Sequence, residues 1–194
     1  YANFTDLYND WLADYPALEQ VYVFQIHNGC GAPNARLREL QRRFEDLFPL
    51  VELMSTTGAP AHDGCHYWYA GYRELGDRIA RLLARDCYGS PVTDDIEPPN
   101  IERAYYSSPQ KDEITLIFRN PADSLVWEPG AAARFTLWGG SGSIQSGAVT
   151  GPNTIRLQLA GASTARFLNY DYPSGVAAGI SNLRGVGALT FYRL

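Results

Sequence analysis

The spacing of apolar residues changes near the middle of the chain. Before Glu97, apolar residues recur at helical spacing or form short runs, which predicts helices alternating with buried strands. After Pro99 they alternate with polar residues, and Gly and Pro recur between the runs, which predicts short antiparallel strands. The sequence Glu97-Pro98-Pro99 is itself typical of a stiff linker. We therefore predict two domains, residues 1–97 and residues 98–194.

The first half is predicted to contain three helices and two strands in the order α-β-α-β-α. Residues 21–26 form an apolar run that only Gln25 interrupts, as in a parallel strand buried on both faces. A second short strand is predicted at residues 51–54, and Arg36, Arg42, Arg43 and Glu45 are expected to face solvent. The apolar residues at helical spacing are Phe4, Leu7, Trp11 and Leu12, then Leu37, Leu40, Phe44, Leu47 and Phe48, then Leu75, Ile79, Leu82 and Leu83.

Two short strands are too few for this arrangement. Parallel sheets need both faces covered, and sheets usually have about 4–6 strands. Three amphipathic helices therefore require further strands from elsewhere. We expect the chain to be the C-terminal piece of a longer polypeptide, or to be completed by a separate chain that adds strands beside residues 21–26.

The second half has a period of two. Apolar residues alternate in the runs 114–118, 135–137 and 155–159, and turn residues such as Glu128-Pro129-Gly130 separate the runs. About seven or eight short strands at this spacing predict an antiparallel β-sandwich.

Composition excludes several classes of protein. The chain is 45% hydrophobic and 13% aromatic, which excludes disorder, and no apolar run approaches the ~20 residues of a membrane span. The net charge is −5 and no basic stripe is present, so nucleic acid is not an expected partner.

The clearest candidate chemistry lies in the sequence Asp63-Gly64-Cys65-His66. An Asp that orients and charge-balances a His can make that His a general base for a serine nucleophile. We expect an Asp63 carboxylate oxygen within ~3.2 Å of His66 Nδ1, with Nε2 facing a cleft. The alternative is a surface turn in which Asp63 caps the following helix.

The segments around this turn carry a family resemblance. They are Val21–Ile26, Leu37–Arg43, His62–His66 and Gly71–Gly76, in that order along the chain. This set resembles the second half of an SGNH (GDSL-type) hydrolase, closest to the sialate O-acetylesterase and carbohydrate esterase branch. The resemblance implies an α/β fold, namely the C-terminal half of a flavodoxin-like three-layer domain, followed by an accessory antiparallel β-sandwich.

The resemblance also implies a function. Asp63 and His66 match the catalytic Asp and His of the family, and the substrate would be an acetylated carbohydrate. The nucleophilic serine and the oxyanion-hole donors have no convincing match here, so they would belong to an N-terminal segment or a separate chain. No metal and no organic cofactor is implied. The competing hypothesis is a non-catalytic glycan-binding or adhesion protein that keeps the fold as a scaffold.

Other residues allow a functional and a structural interpretation. His27 follows the first strand, where open α/β sheets bind ligands, and either contacts substrate or is a loop residue without a role. His62, Asp63 and His66 superficially resemble a metal-binding helix motif, but Gly64 suits a helix poorly and a third ligand is missing. Residues 29–34 resemble a dinucleotide loop only weakly, because the third glycine is absent.

Serines and cysteines complete the candidates. Ser55 and Ser141 lack the strand-turn-helix setting of a nucleophile and are interpreted as turn residues. Cys30 and Cys65 both follow strand ends at one sheet edge, so a disulfide between them is sterically possible, although two reduced thiols are the alternative. Cys87 is left unpaired. Fifteen Arg against one Lys favour a bacterial source, and we expect secretion or a periplasmic location.

Overall fold

The computed structural model describes residues 1–29, 34–122, 124–171 and 179–194, and it is a mixed α/β structure. The α/β class is confirmed. The described helices are α1 (Ala2–Asp14), α2 (Ala35–Arg42), α3 (Phe44–Leu47) and α4 (Tyr69–Tyr88), with a 3-10 helix at Ala131–Arg134. The described strands are β1 (Val21–Gln25), β2 (Val51–Ser55), β3 (Ile101–Tyr106), β4 (Glu113–Phe118), β5 (Leu125–Trp127), β6 (Phe135–Trp138), β7 (Ile144–Gly151), β8 (Thr154–Leu159), β9 (Phe167–Tyr170) and β10 (Ile180–Asn182).

The two strands predicted in the first half are present and parallel. Strand β1 pairs with β2 in the register Val21↔Val51 to Gln25↔Ser55. Leu53 and Met54 of β2 are fully buried, whereas most of β1 is only half-buried. The expectation that the first strand is buried on both faces is therefore wrong within the described residues, and Ile26 after it is exposed.

The second predicted helix is broken at Arg43. Its backbone leaves the helical region with φ −98° and ψ 5°, which separates α2 from α3. The break lets Phe44 stack on Phe4 of α1, with ring centroids 4.1 Å apart. Leu37 and Leu47, which the periodicity assigns to one buried face, are exposed.

Helix α2 buries arginines instead of leucines. Arg42 was expected to face solvent, but only 4% of its surface is exposed. Its Nη1 donates hydrogen bonds to Asn100 Oδ1 at 3.0 Å and to the Ile101 carbonyl at 2.9 Å. Glu39 on the same helix neutralises its charge. Apolar periodicity cannot predict this burial, because the uncharged partners lie 58 and 59 residues away.

The alternating pattern of the second half is confirmed in β4 and β8. Strands β3, β4, β8 and β7 form one four-stranded antiparallel sheet in that order, while β5 pairs with β10 and β6 with β9. The alternating apolar residues of β4 and β8 point into one core and are almost fully buried. They are Ile114, Leu116, Phe118, Ile155, Leu157 and Leu159.

The C-terminal segment returns to the first half of the chain. Leu189 packs in one apolar cluster with Tyr8 and Leu53, and Val186 packs in another with Met54. The predicted linker is also buried at Pro99, whose carbonyl accepts a hydrogen bond from Leu189 N at 3.0 Å. Pro99 and the C-terminal residues Val186 and Leu189 therefore pack against the α/β half of the chain. The domain boundary between residues 97 and 98 stays a prediction.

Candidate active site

The candidate site lies at the carboxyl ends of β1 and β2. His27 follows β1, and the loop between β2 and α4 carries the turn Asp63–His66. Because parallel strands end at the same edge of a sheet, both segments meet there, where open α/β sheets usually bind ligands.

The turn has a tightly determined backbone. An isolated antiparallel bridge joins His62 to Tyr67, and Asp63 N donates to the His66 carbonyl at 3.1 Å. Gly64 has φ +97°, a conformation that residues with a Cβ atom rarely adopt. A Cβ atom on Gly29 would lie 1.9 Å from the Gly64 carbonyl oxygen, so the loop after β1 packs directly on this turn.

Asp63 is fixed by the backbone of its own turn. One carboxylate oxygen accepts the N–H groups of Cys65 at 2.8 Å and His66 at 2.7 Å. The bond from His66 N, followed by that from Cys65 N, lowers the pKa of Asp63 from 3.8 to about 2, so the carboxylate is ionised at neutral pH. Both donors precede α4, which begins at Tyr69 and has no side-chain cap bond at its N-cap. Asp63 therefore stabilises its own turn and does not cap the helix.

His66 stands beside this carboxylate and is 73% exposed at its side chain. Its Nδ1 lies 3.4 Å from the second Asp63 oxygen, slightly longer than the expected ~3.2 Å. Because a carboxylate can only accept, this contact favours the proton on Nδ1 and leaves Nε2 as a proton acceptor. Nε2 is exposed with the ring, and the sulfur of Cys65 lies 3.4 Å from it.

His27 is half-buried behind the turn. Its ring lies 4.8 Å from the ring of His62 and 5.1 Å from that of Tyr67, between centroids. Its Nδ1 is 2.9 Å from the Tyr67 hydroxyl. Burial, followed by the charges of His62 and Arg38, lowers the pKa of His27, so the ring is neutral at pH 7. These contacts make His27 a support for the turn, in addition to its position at the sheet edge.

A buried polar network lies beneath His27, and the sequence reasoning did not predict it. The Gln25 side chain donates to the carbonyls of Arg38 and Thr190 and accepts from Thr190 N at 2.8 Å. Arg38 in turn donates through Nε to Thr190 Oγ1 at 3.0 Å and pairs with Asp171. The one available signal was Gln25 itself, since a polar residue inside an apolar strand needs buried partners.

The two serines are held in structural positions. Ser55 ends β2 and is fully buried, and its hydroxyl accepts from Thr57 N at 2.9 Å. Ser141 lies in the loop between β6 and β7, where its hydroxyl is 3.1 Å from Thr164 Oγ1. Ser141 fits the interpretation as a loop residue, whereas Ser55 belongs to a strand.

The cysteines are described in part. Cys65 is disulfide-bonded, and Cys87 is a free, exposed thiol. Cys30 lies outside the described residues, as do Gly31, Ala32 and Pro33 of the dinucleotide-like loop. The pairing of Cys30 with Cys65 therefore stays a prediction.

No protein-family model matches the chain, and a search of curated proteins finds no significant relative. Within the described ranges, no group of three or more His, Cys, Asp and Glu side chains could hold a metal ion. None of the helices described above combines the length and apolarity needed to cross a lipid bilayer.

Proposed function

We propose that this chain supplies the acid-base pair of a serine-type carbohydrate O-acetylesterase of the SGNH kind. His66 is the general base and Asp63 its orienting carboxylate. The proposal rests chiefly on one observation, an ionised and immobilised carboxylate beside the Nδ1 of an exposed histidine.

The proposed reaction is the hydrolysis of an acetyl ester in two steps. The serine oxygen attacks the ester carbonyl while His66 Nε2 accepts the serine proton, and the imidazolium then returns that proton to the leaving sugar alkoxide. Water, deprotonated by the same nitrogen, then attacks the acetyl-serine carbonyl. The imidazolium returns this proton to the serine oxygen as acetate leaves. Asp63 keeps the proton on Nδ1 and balances the charge of the imidazolium.

The nucleophile and the oxyanion donors are assigned to a segment or chain beyond these residues. Ser55 has no access to solvent, and Ser141 lies in a loop of the antiparallel half. The same segment would add strands beside the two-stranded sheet and complete a flavodoxin-like layer. The antiparallel strands would then be the accessory β-sandwich of that enzyme.

Aromatic side chains support a carbohydrate as substrate. Trp68, at the N-cap of α4, and Tyr69 and Tyr72, on its first turn, are exposed shortly after His66 along the chain. Such rings present an apolar face and a polar tip, which suits the mixed apolar and polar surface of a sugar. The disulfide at Cys65 supports secretion or a periplasmic location, where disulfides persist.

A non-catalytic glycan-binding or adhesion protein remains the second candidate. The contact between Cys65 Sγ and His66 Nε2 favours it, because the sulfur occupies part of the space around the nitrogen that must face a nucleophile. The exposed aromatic rings serve a binding protein equally well.

The decisive experiment compares variants of the complete native protein. His66→Ala should lower hydrolysis of acetylated sugars or of p-nitrophenyl acetate by at least the 10²–10⁴-fold that acid-base catalysis supplies. Asp63→Asn should lower the rate as well, because the tautomer of His66 is no longer fixed. The matched control is Asp10→Asn on the exposed face of α1.

Two results separate the candidates. An esterase of this kind is labelled covalently at serine by a fluorophosphonate probe, and the label competes with substrate. An unlabelled protein that binds glycans without hydrolysing them would favour the binding role. Full esterase activity after His66→Ala would overturn the assignment of His66 as general base.

A further inference from the structure

A small, partly open cavity lies beneath the candidate site. It has a volume of about 10 Å³ and lies where four segments meet: the end of β1, the start of α2, the end of β2 and the C-terminal segment. Its lining is almost entirely polar. The lining residues are Gln25, Ile26, His27, Asn28, Arg38, Thr56, Thr57 and Thr190.

Two buried polar atoms of this lining lack a hydrogen-bond partner in the described structure, His27 Nε2 and Arg38 Nη1. Arg38 is only 3% exposed, so bulk water does not reach its guanidinium group. Buried donors and acceptors are nearly always paired in native proteins, and two unpaired atoms around one cavity therefore indicate a bound group.

Arg38 offers a single free donor group at the cavity. Its Nε donates to Thr190 Oγ1 at 3.0 Å, and its Nη2 is paired with the carboxylate of Asp171. Only Nη1 remains. A guanidinium nitrogen cannot accept a hydrogen bond, so the bound group must present an acceptor to it.

His27 offers an acceptor at the cavity, because its neighbours determine which ring nitrogen carries the proton. The Tyr67 hydroxyl has one proton, and the Thr56 carbonyl at 3.0 Å can only accept it. The hydroxyl must therefore accept from His27 Nδ1, which places the ring proton on that nitrogen. Nε2 of the neutral ring then carries a lone pair, so the bound group must also donate.

Charge and size exclude most ligands. The Arg38 charge is already balanced by Asp171, which leaves no net positive charge for an anion, and the guanidinium opposes a cation. A volume of about 10 Å³ is close to the ~10–15 Å³ that a single water molecule requires. A neutral group that both accepts and donates, and has this size, is water.

We propose that this cavity binds one internal water molecule, which accepts a hydrogen bond from Arg38 Nη1 and donates one to His27 Nε2. The water adds a direct link between two networks that are otherwise joined through Thr56 and Gln25. On one side His27 holds Tyr67 and the Asp63–His66 turn, and on the other Arg38 holds Asp171 and Thr190. The site does not depend on the proposed esterase activity.

Nuclear magnetic resonance of the ¹⁵N-labelled chain tests the proposal directly. The imidazole nitrogen shifts of His27 should show a protonated Nδ1 and an unprotonated Nε2 at neutral pH. A long-lived water should give cross-peaks to the His27 ring and to the Arg38 guanidinium protons. A proton on Nε2, or no such water, overturns the proposal.

Variants separate this water from surface hydration. His27→Phe removes the acceptor and fills the cavity, so the water cross-peak at Arg38 should disappear. The matched control His66→Gln alters an exposed histidine and should leave the cross-peak intact. A cross-peak that persists in His27→Phe contradicts the proposal.

A high-resolution crystal structure of the unchanged protein gives an independent result, should His27→Phe fail to fold. A density peak within hydrogen-bond distance of both atoms supports the water. Direct bonding of either atom to protein, or an anion in the cavity, overturns it.

Discussion

The two halves of this molecule are stabilised by different means. In the antiparallel half, strands β4 and β8 bury alternating apolar side chains in one continuous core. In the α/β half, Arg38, Arg42 and Arg78 are buried and donate hydrogen bonds to distant backbone and side-chain oxygens. The candidate site therefore lies in the half where directional polar contacts, more than apolar packing, determine where backbone segments lie.

Arg78 provides the severest test of this difference. Its Nη1 donates to the carbonyls of Ser55 and Thr57 at 3.0 and 3.1 Å, directly behind the end of β2. Arg78→Ala leaves both buried carbonyls without these donors, and we expect the free energy of unfolding to fall by about 3–5 kcal/mol. Denaturation with urea measures the change.

The control is Arg73→Ala on the exposed face of the same helix, where the loss should stay within about 0.5 kcal/mol. Equal effects of the two substitutions would mean that buried arginines do not hold the α/β half.

Leu157→Ala tests the apolar half. Leu157 is fully buried in β8, and its truncation removes apolar contacts and leaves a cavity. We expect a loss of about 2–5 kcal/mol in the free energy of unfolding, with the Asp63–His66 turn unchanged in its chemical shifts. Val149→Ala on the exposed side of β7 is the control, and large shifts at the turn would show that the halves are not independent.

Gly29→Ala tests the close approach between the β1 loop and the turn. The added Cβ would meet the Gly64 carbonyl oxygen at 1.9 Å, so one backbone must move. We expect the free energy of unfolding to fall by about 1–3 kcal/mol and the resonances of His66 to shift.

Gly76→Ala is the matched control. It lies in α4 with open space around its Cβ, and it should stabilise the protein by up to about 1 kcal/mol. An unchanged His66 in Gly29→Ala would contradict the packing of the loop on the turn.

Glu52 gives the smallest expected effect and sharpens the comparison through pH. Burial, followed by the charge of Glu97, raises its pKa from 4.5 to about 7. The folded state therefore holds the proton more tightly than the unfolded state, and this stabilisation is complete below pH 4.5 and lost as pH rises through 7.

Glu52→Gln should remove this loss of stability. Relative to the unchanged protein, we expect its free energy of unfolding to be higher at pH 8 than at pH 5, by on the order of 1 kcal/mol. The exposed Glu19→Gln is the control, and unfolding curves at the two pH values measure the difference. If Glu52→Gln leaves the pH dependence of the free energy of unfolding unchanged, that dependence arises from other carboxylates.

Sequence patterns predicted what depends on near neighbours. The alternation in β4 and β8 was predictable because each side chain's face follows from its position in the strand. The Asp63–His66 turn was predictable for the same reason, since Asp63 bonds to groups two and three residues away.

The buried arginines and the break at Arg43 were not predictable. Arg38 bonds to Thr190 across 152 residues, and Arg78 reaches Gly185 across 107. A helical pattern assigns charged residues to solvent unless such partners are known, so it inverted the burial of Arg42 and Leu37.

The bonds between Gln25 and Thr190 also have a consequence for synthesis. These residues are 165 positions apart, so the ribosome must add that many residues before the strand containing Gln25 gains its partner. At ~5–20 residues per second this takes roughly 10–30 s. During that time the nascent α/β layer exposes Gln25 and the apolar surface that Leu189 later covers. Apolar surface of this kind on an unfinished chain is what chaperones bind.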